Sequence, residues 1–245
     1  MNLTFDFHGK TAFVTGGVSG IGAATSFAFK RAHARVIATG LTQDALEAAR
    51  ANPEFSGIDI RSLDVRDGAA VTNLIDTLTS LDFVVNCAGL IRRDAEHTPE
   101  GFDHVIDVNL NGGMRVTTAA RPLLAKSKGA VVFLASVMSF MGGPRQPAYS
   151  ASKGGVRNLT MSLAAAYAAD GIRVNAIAPG WVVTNLSRGA REDPARNAQI
   201  MDRLPMKRWA EPPEMADPIL FLCSDAARYM TGTTMLVDGG YTSVG

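Results

Sequence analysis

Residues 11–22 read TAFVTGGVSGIG, and this stretch decides the fold class of the chain. Its first five residues form a short apolar run typical of a buried β-strand, and a patterned, helix-length segment follows the last glycine. Glycines at this point permit a tight turn and let the backbone approach a pyrophosphate held at the N-terminus of the helix. Their spacing, Gly-x-x-x-Gly-x-Gly, is a weak signal alone, but its place between a strand and a helix favours dinucleotide binding.

Six further apolar runs repeat this order of strand and helix. They lie at residues 35–39, 58–63, 83–86, 130–136, 173–178 and 234–237. Helix-length segments separate them, near residues 20–32, 43–51, 69–79, 99–125, 148–169 and 213–224. Because apolar strands joined through helices form parallel sheets covered on both faces, we predict an α/β, doubly wound parallel sheet of about seven strands. Nothing divides the chain, so residues 1–245 are predicted to form a single domain.

The segment 184–209 is the part of the chain that looks least like a packed element. It is rich in Arg, Asp, Asn and Pro, and it follows the Pro179-Gly180 pair at the end of a predicted strand. Ligands of open α/β sheets bind beyond the carboxyl ends of the strands. We therefore predict a mobile substrate lid at 184–209, with a plain surface excursion as the alternative.

Composition excludes several classes of function. The 245 residues are 47% hydrophobic and 19% charged with a net charge of +1, which is ordinary for a globular protein and argues against nucleic-acid or membrane-surface partners. The two cysteines and four histidines show no metal-ligand spacing, so no metal is expected. The N-terminus lacks a signal-type apolar core, and no apolar stretch is long enough to span a bilayer. A cytoplasmic location is expected.

Tyr149 and Lys153 stand four residues apart, and Ser136 ends an apolar run thirteen positions before the tyrosine. Residues i and i+4 share a helix face, so the lysine ammonium could stabilise the tyrosine anion. A free tyrosine has a pKa near 10, and a base at neutral pH needs a pKa lower by roughly 3 units, about 4 kcal/mol. By itself Tyr-x-x-x-Lys is more typical of a surface helix pair. The glycine turn upstream favours catalysis.

Taken together, these motifs resemble those of the short-chain dehydrogenase/reductase family, in order and approximate spacing, over essentially the whole chain. The matching motifs are Thr15-Gly16-x-x-x-Gly20-Ile21-Gly22, Asn86-x-Ala88-Gly89, Asn109, Ser136, Tyr149-x-x-x-Lys153 and Pro179-Gly180. The resemblance implies a Rossmann-type fold and an NAD(P)-dependent oxidoreductase that transfers hydride between nicotinamide and a secondary alcohol or ketone. One departure is Cys87, where the family usually has asparagine; it concerns local packing and puts no catalytic role in doubt.

The resemblance also implies a catalytic set of four residues. Tyr149 would be the general acid/base, and Ser136 would hydrogen bond to the same substrate oxygen. Lys153 would lower the tyrosine pKa and bind the nicotinamide ribose, and Asn109 would hold a water that continues the proton relay. The alternatives for Asn109 and Ser136 are an amide satisfied by backbone and a plain strand-end hydroxyl.

A larger cofactor-binding set follows from the same resemblance. It comprises Gly16, Ser19, Gly20, Ile21 and Gly22 at the pyrophosphate and adjoining ribose, Gly40 and Leu41 after the second strand, Asp64 and Val65 at the adenine, Asn86, Ala88 and Gly89 at the ribose, Tyr149 and Lys153, and Pro179, Gly180, Val182 and Thr184 at the nicotinamide. Residues 39–41 carry neither an acid nor a base, and Ser19 stands where NADP-preferring relatives often have a basic residue. We therefore expect NAD rather than NADP.

Within the family, residues 88–93, 135–145, 175–180 and 204–209 resemble the gluconate 5-dehydrogenase and 2-dehydro-3-deoxy-D-gluconate 5-dehydrogenase groups. Arginine binds both oxygens of a carboxylate, so Arg92 and Arg145 are candidates to hold a sugar acid, with surface salt bridges as the alternative. Met138 and Trp181 complete the predicted substrate-binding set. Two other functions stay open: an NADPH-dependent reductase of a nonpolar ketone or acyl substrate, and a non-catalytic dinucleotide-binding regulator.

The predicted helix after Lys153 carries small residues, including Ala164-Ala165-Ala166. Burial in the monomer core explains part of that face. The family resemblance implies that this helix also forms a subunit interface, so we expect a homotetramer, with a dimer as the second choice.

Overall fold

A computed structural model describes residues 5–244, in which the chain forms one sheet of seven parallel strands. The strands are β1 (Thr11–Thr15), β2 (Arg35–Gly40), β3 (Asp59–Ser62), β4 (Phe83–Asn86), β5 (Ala130–Leu134), β6 (Arg173–Pro179) and β7 (Thr234–Val237). Their order in the sheet is β3-β2-β1-β4-β5-β6-β7. The order reverses between β1 and β4, and open α/β sheets bind ligands at such a reversal. The predicted doubly wound sheet is confirmed.

The helices lie on both faces of the sheet. In chain order they are α1 (Gly20–Arg31), α2 (Gln43–Ala51), α3 (Gly68–Asp76), α4 (Pro99–Ile106), α5 (Gly112–Ser127), α6 (Pro147–Tyr167), α7 (Arg188–Glu192), α8 (Pro194–Arg203) and α9 (Pro213–Cys223). Helices α1, α2 and α9 contribute to the core on one face, while α3, α5 and α6 contribute to the core on the other.

Strand β1 shows why the apolar runs are continuous. All five of its residues are buried, and its three apolar side chains alternate between the two cores. Ala12 and Val14 pack with the core that contains α1, whereas Phe13 packs with the core that contains α5. A strand covered on both faces is rich in apolar residues on both sides, and these continuous runs made the strands recognisable in the sequence.

Two segments differ from their predicted form. The helix predicted over residues 99–125 is interrupted by a π turn at Asp107–Asn111, between α4 and α5. The segment 184–209 is packed: it contains α7 and α8, and Ala190, Ile200 and Leu204 are buried. Its polar residues lie on the outer faces of short amphipathic helices, which the sequence composition did not distinguish from a loop.

None of the helices within residues 5–244 combines the length and the apolar character needed to cross a bilayer. In the same part of the chain, no three His, Cys, Asp or Glu side chains are grouped so that they could hold a metal ion. Residues 1–4 and 245, which the single-domain prediction includes, lie outside the described residues.

Candidate active site

The glycine turn after β1 is built so that its backbone favours glycine at three of its positions. Gly16 has a φ of +62° and Gly20 a φ of +52°, in the left-handed region that disfavours other residues. A Cβ added at Gly16 would lie 3.0 Å from the Cα and N atoms of Ala88, in the loop after β4. At Gly22 an added Cβ would collide with the Gly16 carbonyl oxygen. The turn is therefore pressed against the loop after β4.

Helix α1 begins directly behind this turn. Its N-cap residue, Ser19, makes no side-chain capping hydrogen bond, so the first amides of α1 are not satisfied by that hydroxyl. Ile21 in the first turn lines the neighbouring cleft. Uncapped amides at a helix N-terminus, next to a glycine cradle, fit the pyrophosphate of a dinucleotide.

The ends of β1 and β4 are tied together at the reversal of the sheet. The Ala88 amide donates to the Thr15 hydroxyl at 3.1 Å, and the Asn86 side-chain amide donates to the Thr117 hydroxyl at 3.1 Å. The Asn86 Oδ1 atom is buried and accepts no hydrogen bond within residues 5–244. Gly89 follows, and a Cβ there would lie 3.4 Å from Asn109 Oδ1 and 3.8 Å from Lys153 Nζ.

The predicted adenine site is exposed to solvent at the end of β2 and buried at Val65, which follows β3. Leu41 is 54% exposed, whereas Gly40 lies against Val18, whose Cγ2 atom would be 2.6 Å from an added Cβ. Val65 is buried against Gly112 of α5. The Asp64 carboxylate accepts from the Arg66 guanidinium at 3.0 Å, which holds the pKa of that carboxyl below its usual value.

Ser136, Tyr149 and Lys153 come together beyond the end of β5. Ser136 caps the one-turn helix Val137–Ser139, and its hydroxyl accepts from the Met138 amide at 3.2 Å. Tyr149 is the third residue of α6, and Lys153 lies one turn later on the same face. The Lys153 ammonium is 5.5 Å from the centre of the Tyr149 ring. Ser136 and Tyr149 line one cleft.

The electrostatics of this group correct one expectation. The pKa of Tyr149 is raised above its ordinary value because burial disfavours the phenolate; interactions with Ser136 and Arg93 oppose the rise, and Glu96 adds to it. The Lys153 ammonium donates its hydrogen bond to the Leu134 carbonyl, at 2.6 Å. Burial lowers the pKa of Lys153 to about 8. The protein alone therefore keeps Tyr149 protonated at neutral pH.

Asn109 lies in the π turn, where its side chain makes three hydrogen bonds. Its Oδ1 atom accepts from the Leu90 amide at 2.8 Å, and its Nδ2 atom donates to the Leu90 carbonyl at 2.9 Å and to the Ser152 hydroxyl at 3.2 Å. Ser152 in turn donates to the Tyr149 carbonyl at 2.7 Å. π turns occur often at functional sites. Here the Asn109 side chain links the loop after β4 to the first turns of α6.

The segment after β6 forms the other wall of the cleft. The Gly180 amide donates to the Val237 carbonyl at 3.1 Å, and a Cβ at Gly180 would lie 2.8 Å from the Asp238 Cα atom. Pro179, Gly180, Trp181, Val182 and Thr184 all line the cleft. The Thr184 methyl group would be 3.3 Å from a Cβ at Gly20, so the wall closes directly over the glycine turn.

The predicted substrate residues separate into two groups. Met138 and Trp181 line the cleft, but Arg92 is exposed and does not. Arg145 lies outside the cleft and forms an exposed ion pair with Asp94. Neither arginine lines the cleft with Tyr149, whereas Arg93, the neighbour of Arg92, does.

Arg93 is therefore the residue that the sequence analysis missed. It lines the cleft with Ser136 and Tyr149, and its Nε atom is buried with no hydrogen-bond partner in the described part of the chain. Burial lowers the pKa of the Arg93 guanidinium, and repulsion from Arg196 and Arg145 lowers it further. The sequence does indicate that two adjacent arginines in a loop point in different directions. It does not indicate which of the two points into the cleft.

Comparison with known proteins gives the family. A family model described as Enoyl-(Acyl carrier protein) reductase matches residues 16–242, nearly the whole chain. The chain belongs to the short-chain dehydrogenase/reductase family. The 2-dehydro-3-deoxy-D-gluconate 5-dehydrogenase of Bacillus subtilis (strain 168) is 38% identical over 98% of this chain and 97% of its own length. The 3-oxoacyl-[acyl-carrier-protein] reductase of Thermotoga maritima is 36% identical over 95% of this chain and 97% of its own length.

A solved relative matches the fold over its full extent. The gluconate 5-dehydrogenase of Burkholderia cenocepacia J2315, in complex with NADP and tartrate, superposes with a TM-score of 0.92 at 31% identity, covering 99% of this chain and 98% of that one. The protein is thus a short-chain NAD(P)-dependent alcohol dehydrogenase/ketoreductase. The glycine cradle and the uncapped start of α1 are the features that fit its dinucleotide.

Proposed function

We propose that the protein interconverts a secondary alcohol and a ketone of a sugar acid, with Tyr149 as the general acid/base. The observation that carries this proposal is the placement of Ser136, Tyr149 and the inward-facing Arg93 in one cleft next to the glycine cradle. The first two supply proton chemistry at a hydroxyl or carbonyl oxygen. Arg93 supplies a cation that can bind the carboxylate of an acidic substrate.

The proton chemistry follows from the states of the side chains. Bound NAD(P), held by the glycine turn and the wall at 179–184, supplies the hydride chemistry. For reduction, the protonated Tyr149 phenol donates its proton to the substrate oxygen, while the Ser136 hydroxyl hydrogen bonds to that oxygen. For oxidation, the phenolate accepts the proton of the alcohol. Lys153 would bind the nicotinamide ribose, and Asn109 would position a water that carries protons away.

The raised pKa of Tyr149 sets the pH dependence of the two directions. A phenol that stays protonated at neutral pH is ready to act as the acid in reduction. Oxidation needs the phenolate, so its kcat should rise as the pH rises toward the Tyr149 pKa. The charged groups that face this phenol are Arg93, Glu96 and Lys153.

Arg93 supports an acidic substrate. Its Nε donor is buried without a partner, and its charge is disfavoured both by burial and by two neighbouring arginines. A substrate carboxylate would satisfy the donor and compensate the charge. The names of the gluconate and 2-dehydro-3-deoxy-D-gluconate dehydrogenases among the relatives agree with this choice.

A second candidate function is reduction of a nonpolar ketone or an acyl substrate. The observation that favours it is the apolar character of most of the cleft wall, which includes Ile91, Val137, Met138, Trp181 and Leu186. The carrier-protein reductase from Thermotoga maritima shows that such a substrate occurs among relatives of similar identity. The two candidate functions differ in the role of Arg93: a sugar acid needs its positive charge to bind the carboxylate, whereas a nonpolar substrate does not.

The substrate class is tested with a panel and one matched pair of variants. Initial rates are measured at the absorbance of reduced nicotinamide with D-gluconate, a neutral polyol, cyclohexanone and acetoacetyl-CoA. Arg93→Met should raise KM for gluconate by about 10- to 100-fold, the effect of one lost charged hydrogen bond, and should leave KM for the polyol unchanged. The exposed neighbour gives the control, Arg92→Met. Equal effects of both variants on gluconate would remove Arg93 from the substrate site.

The role of Tyr149 is tested separately from cofactor binding. Tyr149→Phe should lower kcat by at least about 100-fold, because general acid/base catalysis contributes that much, while the Kd for the dinucleotide changes little. Tyr229→Phe is the control, since Tyr229 is fully exposed. A Tyr149→Phe enzyme that kept more than a few per cent of the wild-type rate would overturn the assignment.

We propose NAD as the preferred cofactor. No acidic or basic side chain lies in the sequence at Ser19 or at residues 39–42, and the missing cation disfavours a 2′-phosphate more than the missing acid disfavours a free ribose. The NADP complex of the Burkholderia relative makes the opposite outcome a real alternative. The ratio of kcat/KM for NAD and NADP decides it.

Three further proposals come from the sequence. The protein acts as a homotetramer in the cytoplasm, and the segment 184–209, with α7 and α8, opens as a substrate lid over the cleft. Light scattering after size-exclusion chromatography measures the assembly. Hydrogen exchange of 184–209, with and without dinucleotide and substrate, tests the lid: protection that appears only in the ternary complex supports it.

A further inference from the structure

Glu96 is a buried carboxylate beside the candidate catalytic group. It lies in the one-turn helix Ala95–His97, after the loop that carries Arg93, and is only 1% exposed. One carboxylate oxygen accepts from the Arg92 amide at 2.8 Å. The other accepts from the Tyr149 amide, also at 2.8 Å. A charged group is buried at this depth only when its hydrogen bonds are satisfied, and both contacts here are to backbone.

The contact with Tyr149 takes the place of a helix cap. Gln146, the N-cap residue of α6, makes no side-chain capping hydrogen bond, and Pro147 has no amide hydrogen. The Tyr149 amide is one of the amides of the first turn that the helix itself cannot satisfy. Glu96 satisfies it from another part of the chain, and the positive end of the helix dipole stabilises the carboxylate in return.

The chemistry of the contact requires a carboxylate. Both partners of Glu96 are N–H donors, so both of its oxygens must accept. A glutamine has one accepting oxygen and one donating NH2 group, and it would leave one amide facing another donor. An aspartate is shorter by one methylene and would not span the two amides. The position is therefore selective for glutamate by charge, by donor pattern and by length.

Other contacts between the same two segments are more exposed. The Asp94 amide donates to the Arg145 carbonyl at 2.9 Å, and a His97 ring nitrogen lies 3.0 Å from the Pro144 carbonyl oxygen. These contacts hold the loops together away from the phenol. Among these contacts, only those of Glu96 connect the backbone of Arg92 to the backbone of Tyr149.

We propose that Glu96 is a positioning residue that fixes the first turn of α6, and with it Tyr149, relative to Arg93 across the cleft. This inference rests on the proposed catalytic role of Tyr149. Glu96 does not touch the reacting atoms; it acts through the backbone that carries the phenol. A displacement of about 1 Å at a reacting group can cost about 100-fold in rate, so a residue that fixes this backbone matters to kcat.

The test compares Glu96→Gln and Glu96→Ala with Thr98→Ala. Thr98 provides the matched control because its hydroxyl also accepts an amide at a helix N-terminus, that of Gly101 in α4, and it lies two residues from Glu96 in the chain. Each variant is measured for kcat and KM with D-gluconate, for the dinucleotide Kd, and for thermal stability. The ionisation of Tyr149 is followed by phenolate absorbance, as the difference between each enzyme and its Tyr149→Phe counterpart.

We expect kcat to fall by about 10- to 100-fold in Glu96→Ala, less in Glu96→Gln, with the dinucleotide Kd unchanged. We also expect the Tyr149 ionisation to move to lower pH in both variants, because a negative charge near the phenol is gone. The other groups that face the phenol, Arg93, Lys153 and Ser136, are not substituted in these variants. Thr98→Ala should lose stability without either change.

Two results would overturn the inference. In one, the Glu96 variants have a kcat within about twofold of that of Thr98→Ala, and their Tyr149 ionises at the same pH as in Thr98→Ala. In the other, activity falls only in proportion to the fraction unfolded, as for a purely structural residue. Failure of the proposed function itself would look different, since Tyr149→Phe would then stay active whatever Glu96 does.

Discussion

Replacing Gly16 with alanine tests whether the turn after β1 is the dinucleotide cradle. Two costs can be worked out from the structure. The φ of +62° places an alanine in the left-handed region, at a cost of about 1–2 kcal/mol. The added Cβ would also lie 3.0 Å from two backbone atoms of Ala88, and an ordinary contact begins at 3.4 Å. The turn and the loop after β4 must therefore separate by 0.4 Å (3.4 minus 3.0).

Gly57→Ala is a control that separates these two costs. Gly57 has a φ of +80°, but a Cβ added there has no atom within 4 Å. Gly57→Ala should therefore lose only the stability that the left-handed conformation costs an alanine. Crowding against backbone adds about 1–3 kcal/mol, so Gly16→Ala should be the less stable variant by about that amount. In a chain of this size the difference in Tm is roughly 2–12 °C, measured by scanning fluorimetry.

Dinucleotide binding distinguishes a cradle from a merely crowded turn. Separation of the two loops moves the amides at the start of α1, and the loss of one hydrogen bond to a charged phosphate costs about 1.5–3 kcal/mol. The Kd measured by calorimetry should then rise by about 10- to 100-fold in Gly16→Ala and stay unchanged in Gly57→Ala. A folded Gly16→Ala protein that bound dinucleotide as tightly as Gly57→Ala would refute the reasoning.

Three further outcomes are expected. Burial lowers the pKa of Lys153 from 10.5 to about 8, so this side chain binds more protons in the unfolded chain between these values, and its own contribution to the free energy of unfolding should increase by about 3 kcal/mol as the pH rises through that range. Urea titrations at several pH values up to 9.5 would follow part of this rise, as the difference in unfolding free energy between the wild type and Lys153→Met. The Arg173 guanidinium donates to three carbonyls at the C-terminal end of α9, including that of Leu222 at 2.6 Å. Arg173→Met should lower the free energy of unfolding, measured in urea, by about 2–4 kcal/mol, while the exposed Arg35→Met should lower it by under 0.5 kcal/mol. Equal losses would contradict the capping role. Gly189→Ala, in exposed α7 with no atom within 4 Å of the added Cβ, should stabilise the protein by about 0.5–1 kcal/mol, and a lower Tm would show that α7 is not helical there.

The candidate site illustrates which parts of a site are predictable from local pattern. The glycine turn and the pair of Tyr149 and Lys153 were recognisable because each depends on short spacings: a strand end before a helix, and two residues one helical turn apart. The roles of Arg93 and Glu96 depend on how the loop after β4 turns over α6. Glu96 and Tyr149 are 53 residues apart in the chain, and no local pattern connects them.

Electrostatics gave the clearest disagreement between pattern and structure. The i, i+4 spacing suggested that Lys153 would lower the pKa of Tyr149. In the folded protein, burial raises the pKa of the phenol and lowers that of the ammonium, and the Leu134 carbonyl takes the lysine hydrogen bond. Desolvation depends on everything that surrounds a group, so it cannot be read from the spacing of two residues.

The sequence by itself determined the parallel sheet, the glycine turn and the chemical identity of the catalytic candidates. Apolar periodicity and short motifs report on the nearest neighbours along one strand or one helical turn, and these neighbours are the same in any packing. The tertiary structure alone decided that Arg93 rather than Arg92 faces the cleft, that Glu96 holds the backbone of Tyr149, and that the segment 184–209 contains the packed helices α7 and α8. Each of these depends on contacts between distant segments, and they exist only once the sheet has brought the ends of β4, β5 and β6 to one edge.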